Sequence, residues 1–399
     1  MKSLVSWCSL LLLQTGCTLG AFIAPRNDTP ALAVGFNEDT IVKVEADMLQ
    51  IATHSWELGT AAEALTELHT PALSVFRQTA FPPPRNITPE IGNATAMLNI
   101  AYNVVATKNA SSLTLIDGDG AVGDPASLGV AVLLANWTRP DLTNHTFEIA
   151  DNEQLTYLLE VAPRTIDGAI SHRADQVQLW ADFVYMAPPF IAYYGALAGG
   201  AVETKLLQEA YDQCRLYRNY LRDESGLWRH IVLGNGTDDR HWGTGNAWAA
   251  AGMFRVLETI RHSSQRFAFL DQQADLTFWI TEILVASWEH QQLNGTLLNV
   301  IDDPTTFADT ASTALLAAVT YRHAVHTGSL LLIPHANAAM SLIRHSVDVD
   351  GWLHGTVDPE TFVTQSLPGQ FSPEGQAFVL LLHAAWRDLV EYVTGKLPS

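Results

Sequence analysis

The stretch RHWGTGNAWAAAGMFRVLETIRH, residues 240–262, decides the fold, because it joins a glycine-rich turn to a long helical pattern. From Asn246 onwards, apolar residues recur every three or four positions, which is typical of an α-helix with a buried face. The same period recurs in four other long stretches, at 41–68, 204–223, 309–328 and 375–393. Clear alternation of apolar and polar residues, the signal of a half-buried strand, is scarce. We therefore expect an all-α protein of about ten to twelve helices.

Short glycine-containing turns, often followed by a histidine, recur along the chain. They lie at 117–122, 167–173, 225–230, 293–298 and 350–355. Their spacing of about 50 to 70 residues is the length of a helical hairpin with its loops. About six such hairpins would use the mature chain and can close as an (α/α)6 barrel, with the turns at one mouth. Glycine also ends helices in any α protein, so simple helix termination explains the turns as well. We favour the barrel, as one domain over residues 21–399.

The first residues indicate the compartment. Lys2, the apolar run 4–13 and the small residues around 16–20 form the pattern of a secretory signal peptide over residues 1–20. The chain also contains eight Asn-x-Ser/Thr sequons, which mark acceptor sites for N-glycosylation in secreted proteins. They are Asn27, Asn86, Asn93, Asn109, Asn136, Asn144, Asn235 and Asn294. Together these features predict a secreted, extracellular glycoprotein.

The charge balance excludes some partners. The formal net charge is −20, with 42 acidic and 22 basic residues. Nucleic-acid binding depends on neutralising phosphates with Lys and Arg, so we expect no nucleic-acid partner. No stretch after the leader is long and charge-free enough to cross a membrane. Cys214 would be the only cysteine left in the mature chain, so we expect the hydrophobic core to hold a monomer together without an internal disulfide.

The glycine-rich turn itself could cradle a phosphate or border a sugar site. It fails the dinucleotide-binding fingerprint, because Trp248 occupies the third glycine position and no strand precedes the turn. The sequence also lacks a G-x-S-x-G elbow, an H-E-x-x-H helix and a Walker loop. In the calcium-like stretch at 117–124, Val122 occupies the position that requires glycine. Carboxylates set among aromatic residues remain as the candidates for chemistry.

Two aspartates stand out. Asp182 lies in QLWADFVYMAPPF (178–190), where apolar surroundings would raise its carboxyl pKa towards the range useful for a general acid. It could instead cap a helix or pair with Arg173. Asp124, followed by a proline in GDPASLGVAVLL (123–134), has the signature of a helix N-cap. From the residues alone, both catalytic and structural roles remain open for the two aspartates.

The combination of LWADFVYM (179–186), GLWRH (226–230) and HWGTGNAWA (241–249) resembles the unsaturated glucuronyl and rhamnogalacturonyl hydrolases, glycoside hydrolase families 88 and 105, and more closely the second. The resemblance runs from SWELGTAAEAL (55–65) to SPEGQAFVLLLHAAW (372–386). It implies an (α/α)6 barrel that removes a 4,5-unsaturated uronic acid from the non-reducing end of lyase-generated oligosaccharides of the rhamnogalacturonan type. It implies no metal or organic cofactor.

The resemblance also implies an unusual reaction. Water is added across the C4–C5 double bond, and the resulting hemiketal opens and expels the rest of the chain. Asp182 is expected to protonate C4 and then assist attack of water at C5, while Asp124 orients the substrate or shares that work. This differs from the usual carboxylate pair flanking an anomeric carbon.

Position by position, the resemblance assigns substrate contacts to two histidines, three tryptophans and two residues of the glycine-rich turn. They are His172, His230, Trp180, Trp242, Trp248, Thr244 and Asn246. Relatives commonly have arginine at the position of Thr244, and a hydroxyl cannot replace a bidentate guanidinium. We therefore expect Arg173, Arg229 or Arg240 to supply the cation, or the substrate to differ.

Two other functions fit the same pattern. A conventional (α/α)6 glycosidase would act on a saturated uronide or a neutral sugar. A carbohydrate-binding protein without turnover would need no catalytic acid, and the presence of both Asp182 and Asp124 argues against it.

Overall fold

The computed structural model describes residues 32–117 and 120–396, so the predicted signal peptide lies outside the described residues. Within those ranges the chain forms thirteen α-helices. They are α1 (Glu38–Ile51), α2 (Ser55–His69), α3 (Thr95–Thr107), α4 (Gly129–Thr138), α5 (Thr146–Thr156), α6 (Phe183–Met186), α7 (Pro188–Ala198), α8 (Gly200–Leu221), α9 (Gly243–His262), α10 (Leu270–Trp288), α11 (Thr310–Thr327), α12 (Ile333–Ser346) and α13 (Pro373–Val393). The predicted all-α class is confirmed.

Four two-residue strands form two antiparallel pairs in the connecting turns. They are β1 (Leu179–Trp180), β2 (Ile231–Val232), β3 (Leu297–Leu298) and β4 (Ala308–Asp309). β1 pairs with β2, with Trp180 opposite Ile231, and β3 pairs with β4. The strands serve to fix turns against one another rather than to build a sheet layer.

The helices form two concentric rings. Helices α2, α4, α7, α9, α11 and α13 each contact the next, and α13 packs back onto α2 to close the inner ring. The outer helices pack on them, with α1 against α13, α3 against α2 and α4, α5 against α4, α8 against α7, α10 against α9, and α12 against α11. This closed arrangement is the (α/α)6 barrel that the hairpin spacing predicted.

Burial separates the two rings. In α9 every residue from Gly243 to Ile260 is buried, whereas α1 buries only a stripe of Ile41, Val44 and Met48. A helix that is surrounded by others is mostly small or apolar on all sides, and the buried charged residues of α9, Arg255 and Glu258, are ion-paired. Gly252 shows the requirement most clearly, because a Cβ there would lie 2.1 Å from the carbonyl oxygen of Val184 in α6. In the described part of the chain, no helix combines the length and hydrophobicity needed to cross a bilayer.

Main-chain hydrogen bonds join the glycine-containing turns to one another. The amide of Val122 donates to His172, 2.7 Å, and the amide of Thr310 donates to Gly355, 3.0 Å. The amide of Ala181 donates to the carbonyl of His230, 2.9 Å. These turns precede inner helices, so they lie at the N-terminal ends of the inner ring.

Buried ion pairs occupy the C-terminal ends of the inner helices. Arg322 of α11 lies between Glu67 of α2 and Asp388 of α13 and is hydrogen-bonded to both. Arg77 donates to the other carboxylate oxygen of Asp388, 2.5 Å. Arg322, Glu67 and Asp388 are all buried. Their ion pairs therefore link α2, α11 and α13 of the inner ring in a low-dielectric environment.

Candidate active site

A cavity of about 230 Å³ lies at the N-terminal ends of the inner helices. Its ionisable lining comprises His54, Asp124, His172, Arg173, Asp182, Glu360 and Glu374. Its aromatic lining comprises Trp56, Trp180, Trp242, Trp248 and Phe362. The structure therefore brings together both predicted catalytic aspartates, one of the predicted histidines and all three predicted tryptophans.

Asp182 lies two residues after the end of β1 and directly precedes α6. Its side chain makes no capping hydrogen bond to that helix, and the nearby Arg173 is paired instead with Asp175, 3.4 Å. Pro188 lacks an amide hydrogen, so the helical path breaks after Met186 and starts again as α7. The carboxyl group is thus available to the cavity rather than committed to a cap or to Arg173.

His230 lies beside Asp182 because β1 pairs with β2. Its Nε2 is 3.5 Å from Oδ2 of Asp182, and its Nδ1 is 3.1 Å from Oδ2 of Asp238. Burial alone would lower the pKa of His230, but its interactions with Asp182 and Asp238 outweigh burial and raise that pKa. His230 is fully buried and does not line the cavity. The structure therefore places it behind Asp182, outside the cavity lining, where it can orient the carboxyl group.

Asp238 is in turn hydrogen-bonded to two basic side chains, His230 and Arg240. Burial would raise its pKa, but hydrogen bonds with His230 and Arg240 reverse the direction and hold the pKa of Asp238 well below its usual range. Arg240 donates hydrogen bonds to both carboxylate oxygens of Asp238, at 2.7 and 2.8 Å. The permanently ionised Asp238 thus fixes the orientation of the His230 ring.

Asp124 begins a 3₁₀ turn, Asp124–Leu128, that leads into α4. Gly123 takes the cap position, and no side chain caps this turn. Oδ1 of Asp124 lies 3.9 Å from Nε2 of His172. The pKa of His172 is lowered to about 4, mainly by burial, so its ring is neutral at physiological pH. A neutral ring beside Asp124 can donate or accept a hydrogen bond without adding charge to the cavity.

The aromatic walls are held by hydrogen bonds at their edges. Nε1 of Trp180 donates to Gln178, 2.8 Å, and Nε1 of Trp242 donates to Oδ1 of Asn299, 3.1 Å. Asn299 also donates from Nδ2 to the carbonyl of Phe362, 2.9 Å, whose φ of +56° is rare for an aromatic residue. These hydrogen bonds fix the two indole rings in the wall of the cavity, where the ring of Trp180 also stacks on that of His172.

Thr244 and Asn246 lie outside the cavity. Oγ1 of Thr244 is 3.5 Å from Asp309, and both predicted contacts are buried in the first turn of α9. Asn246 accepts from the amide of Trp228, 2.8 Å, and donates to the carbonyls of Trp228 and Trp242. Their polar groups connect α9 to neighbouring turns, so the structure does not bring these two residues into the cavity lining.

Arg173 is the arginine that the structure brings to the cavity. Arg240 is engaged by Asp238, and Arg229 lies 3.9 Å from Asp239. Gly120, at φ +72°, makes room for Arg173, since a Cβ there would lie 2.6 Å from a guanidinium nitrogen. A cation therefore reaches the cavity from the turn before α6 and not from the position of Thr244.

Sequence reasoning did not single out Glu374 or Phe362. Glu374 lies in the first turn of α13, where an acidic residue is an ordinary helix-start signal. Phe362 lies in a loop with no periodic pattern. In the described ranges, no group of three or more His, Cys, Asp or Glu side chains is arranged to hold a metal ion.

Several known proteins are similar to this chain in sequence or in architecture. The Bacillus subtilis (strain 168) unsaturated rhamnogalacturonyl hydrolase YesR is 23% identical over 209 residues, which are 50% of this chain and 57% of YesR. This chain thus spans a little over half the length of that relative. A possible member of family GH105 from Klebsiella pneumoniae matches with a TM-score of 0.68 at 18% identity, over 94% of this chain and all (100%) of that one. Another from Salmonella enterica serovar Paratyphi A has a TM-score of 0.66 at 18% identity, over 88% and 93% of the two chains.

These structural similarities, at low identity, show the (α/α)6 fold. The sequence profile of Glycosyl Hydrolase Family 88 matches residues 128–365. This range includes Asp182, His172 and three of the four tryptophans of the cavity wall, Trp180, Trp242 and Trp248. With more than half of its length matched, the chain belongs to Glycosyl Hydrolase Family 88.

Proposed function

We propose that the protein removes a 4,5-unsaturated uronic acid from the non-reducing end of lyase-generated oligosaccharides of the rhamnogalacturonan type. The observation that carries the proposal is the convergence of Asp182, Asp124 and Arg173 in one tryptophan-walled cavity. The similarity to YesR, an unsaturated rhamnogalacturonyl hydrolase, supports the substrate class. A cavity of about 230 Å³ is small compared with the roughly 300–1,000 Å³ of most ligand sites, which suits recognition of one terminal sugar.

In the proposed reaction Asp182 transfers a proton to C4, and the positive charge that develops at C5 is shared with the ring oxygen. A water molecule then adds its oxygen to C5 and returns a proton to Asp182, which regenerates the acid. The hemiketal opens and releases the remainder of the oligosaccharide. Asp238 and His230 would act through Asp182, because Nε2 of His230 faces Oδ2 of that carboxyl group at 3.5 Å. Asp124 faces the same cavity, where it can orient the substrate or the water.

The test is an absorbance assay on purified protein with lyase products of rhamnogalacturonan and of glucuronic-acid-bearing chains. Consumption of the conjugated double bond removes the ultraviolet absorbance of the substrate. Unchanged absorbance with both product classes would contradict the proposal. Release of reducing sugar from polysaccharide that no lyase has treated would instead indicate a conventional glycosidase.

Arg173→Ala is expected to raise KM by about ten- to a hundredfold, because a charge-assisted hydrogen bond to the uronic carboxylate is lost. kcat should change much less, since the carboxylate is bound in both ground and transition states. Both constants are measured with the absorbance assay. Arg229→Ala removes a neighbouring arginine that does not line the cavity and should keep the wild-type KM. An unchanged KM for Arg173→Ala would show that another group binds the carboxylate.

We also infer that the protein is secreted and N-glycosylated. Six of the seven sequon asparagines within the described ranges are exposed, and Asn136 is half-buried. The side chain of Asn136 is further engaged by Arg139. In protein secreted from a eukaryotic host, glycopeptide mass spectrometry should find glycans at exposed sequons and little or none at Asn136. Protein retained in the cell, or secreted without any glycan, would contradict this inference.

A further inference from the structure

Glu374 adds a third carboxyl group to the cavity that the proposed mechanism leaves unused. It is the second residue of α13, it lines the cavity, and only 3% of its surface is exposed. Its Oε2 has no hydrogen-bond partner among the described residues. Such an unpaired buried oxygen carries a desolvation cost unless a ligand completes its hydrogen bonding.

The surroundings of Glu374 are acidic. Glu57 accepts hydrogen bonds from the amides of Thr53, 2.7 Å, and His54, 2.8 Å, which fix the position of its carboxyl group. The pKa of Glu374 is raised to about 8, mainly by burial. Repulsion by the carboxyl groups of Glu57 and Glu360 raises it further. At neutral pH the carboxyl group is therefore largely protonated. In that form it is a hydrogen-bond donor without negative charge.

Hydrogen bonds with Ser372 and with its own backbone oppose the rise in the pKa of Glu374, but they leave its Oε2 atom without a partner among the described residues. The start of α13 is capped by Ser372, whose Oγ accepts from the amide of Gly375 at 2.9 Å. A first-turn acid stabilises a helix through its negative charge, and burial among acidic neighbours opposes that charge. The other ionisable groups of the cavity are His54, Asp124, His172, Arg173, Asp182 and Glu360. Among the described residues that line the cavity, Arg173 is the one permanent cation, so an anionic sugar would benefit from a further hydrogen-bond donor.

We propose that Glu374 is a specificity-determining residue that binds the substrate as a neutral carboxylic acid, donating a hydrogen bond to the uronic carboxylate. The inference rests on the proposed function, since it assigns this donor to the carboxylate of an unsaturated uronic acid. A neutral donor adds a strong O–H···O⁻ hydrogen bond without placing a second cation beside Asp182. Ionisation of Glu374 would convert the donor into a like charge and weaken binding.

The experiment compares pH profiles of kcat/KM. Wild-type kcat/KM should fall as pH rises through the pKa of Glu374, about 8, mainly through KM. Glu374→Gln keeps a donor and cannot ionise, so its alkaline fall should be lost or moved to higher pH. Glu374→Met lacks the donor and should raise KM by about tenfold or more at pH 6.5, with little change in kcat.

Asp151→Asn is the matched control. Asp151, in α5, is also a buried carboxyl whose oxygens have no partner within the described residues, and burial raises its pKa, but it does not line the cavity. This variant should keep the wild-type alkaline fall. Thermal unfolding of each variant separates a change of site from a change of fold.

Two results would overturn the assignment of Glu374: a fall of kcat/KM at alkaline pH in Glu374→Gln that is identical to wild type, or a wild-type KM for Glu374→Met.

A wild-type protein that consumes no unsaturated uronide would instead refute the proposed function. In that case calorimetric binding of an unsaturated galacturonyl disaccharide still tests Glu374. Glu374→Met should then bind it about tenfold more weakly than wild type. Equal affinity, or no binding by the wild type, would overturn the assignment.

Discussion

Asp182→Asn is expected to lower kcat on an unsaturated uronyl oligosaccharide by about 10²–10⁴-fold, the usual contribution of a general acid. The amide has nearly the same shape as the carboxyl group but cannot deliver a proton to C4. Neither a helix cap nor a pair with Arg173 is lost, because Asp182 makes neither. The rate is followed as loss of ultraviolet absorbance, and binding of the same oligosaccharide is measured by calorimetry.

Binding by Asp182→Asn should stay within a few-fold of wild type, which separates loss of chemistry from loss of the site. Asp239→Asn is the control, since Asp239 is 76% exposed at its side chain and lies outside the cavity lining. Its kcat should equal that of wild type. Wild-type turnover by Asp182→Asn would remove Asp182 from the role of acid, and equal loss in both variants would point to a damaged fold.

Arg322→Leu is expected to lower the free energy of unfolding by about 3–5 kcal/mol, as when one partner of a buried ion pair is removed. The change leaves Glu67 and Asp388 buried at the C-terminal ends of the inner helices with one cation fewer. Burial already raises the pKa of Glu67, and Arg322 opposes that rise. Without the guanidinium, the native state must bury a carboxylate or hold it protonated.

The pH dependence of this loss has a definite sign. A carboxyl group whose pKa is raised in the folded state binds more protons there than in the unfolded chain, so stability falls as pH rises from its unfolded pKa through its folded pKa. Arg322→Leu should therefore be destabilised more at pH 8 than at pH 5. Urea unfolding at the two pH values measures the difference.

Two variants define the cause of the Arg322 effect. Arg266→Leu removes an exposed arginine and should change the free energy of unfolding by less than about 0.5 kcal/mol. Adding Glu67→Gln to Arg322→Leu should recover part of the loss and flatten its pH dependence, because an uncompensated carboxylate is removed. A loss equal at pH 5 and pH 8 would indicate lost packing instead of an unpaired charge.

Most of the fold could be predicted from the sequence, because the patterns that mark helices and their ends are local. Helical spacing marks α9, α11 and α13 from residues that are neighbours in the chain, and Pro188 breaks the helix whatever its surroundings. Asp182 was readable for the same reason, since its aromatic neighbours lie within a few positions. Thr244 and Asn246 were assigned from their place in a motif, and the motif carries no information on which side of α9 faces the cavity.

The sequence by itself determined the all-α class, the hairpin spacing and the aspartate within an aromatic run, because helical period and side-chain chemistry are properties of short segments. The tertiary structure alone decided how separate turns meet. It set His230 behind Asp182 through the pairing of β1 with β2 and brought Arg173 to the cavity past Gly120. It also buried Glu374 beside Glu57, residues far apart in the chain that meet because α13 closes the inner ring against α2. Burial and neighbouring charge set the protonation of a carboxyl group, and both depend on ring closure.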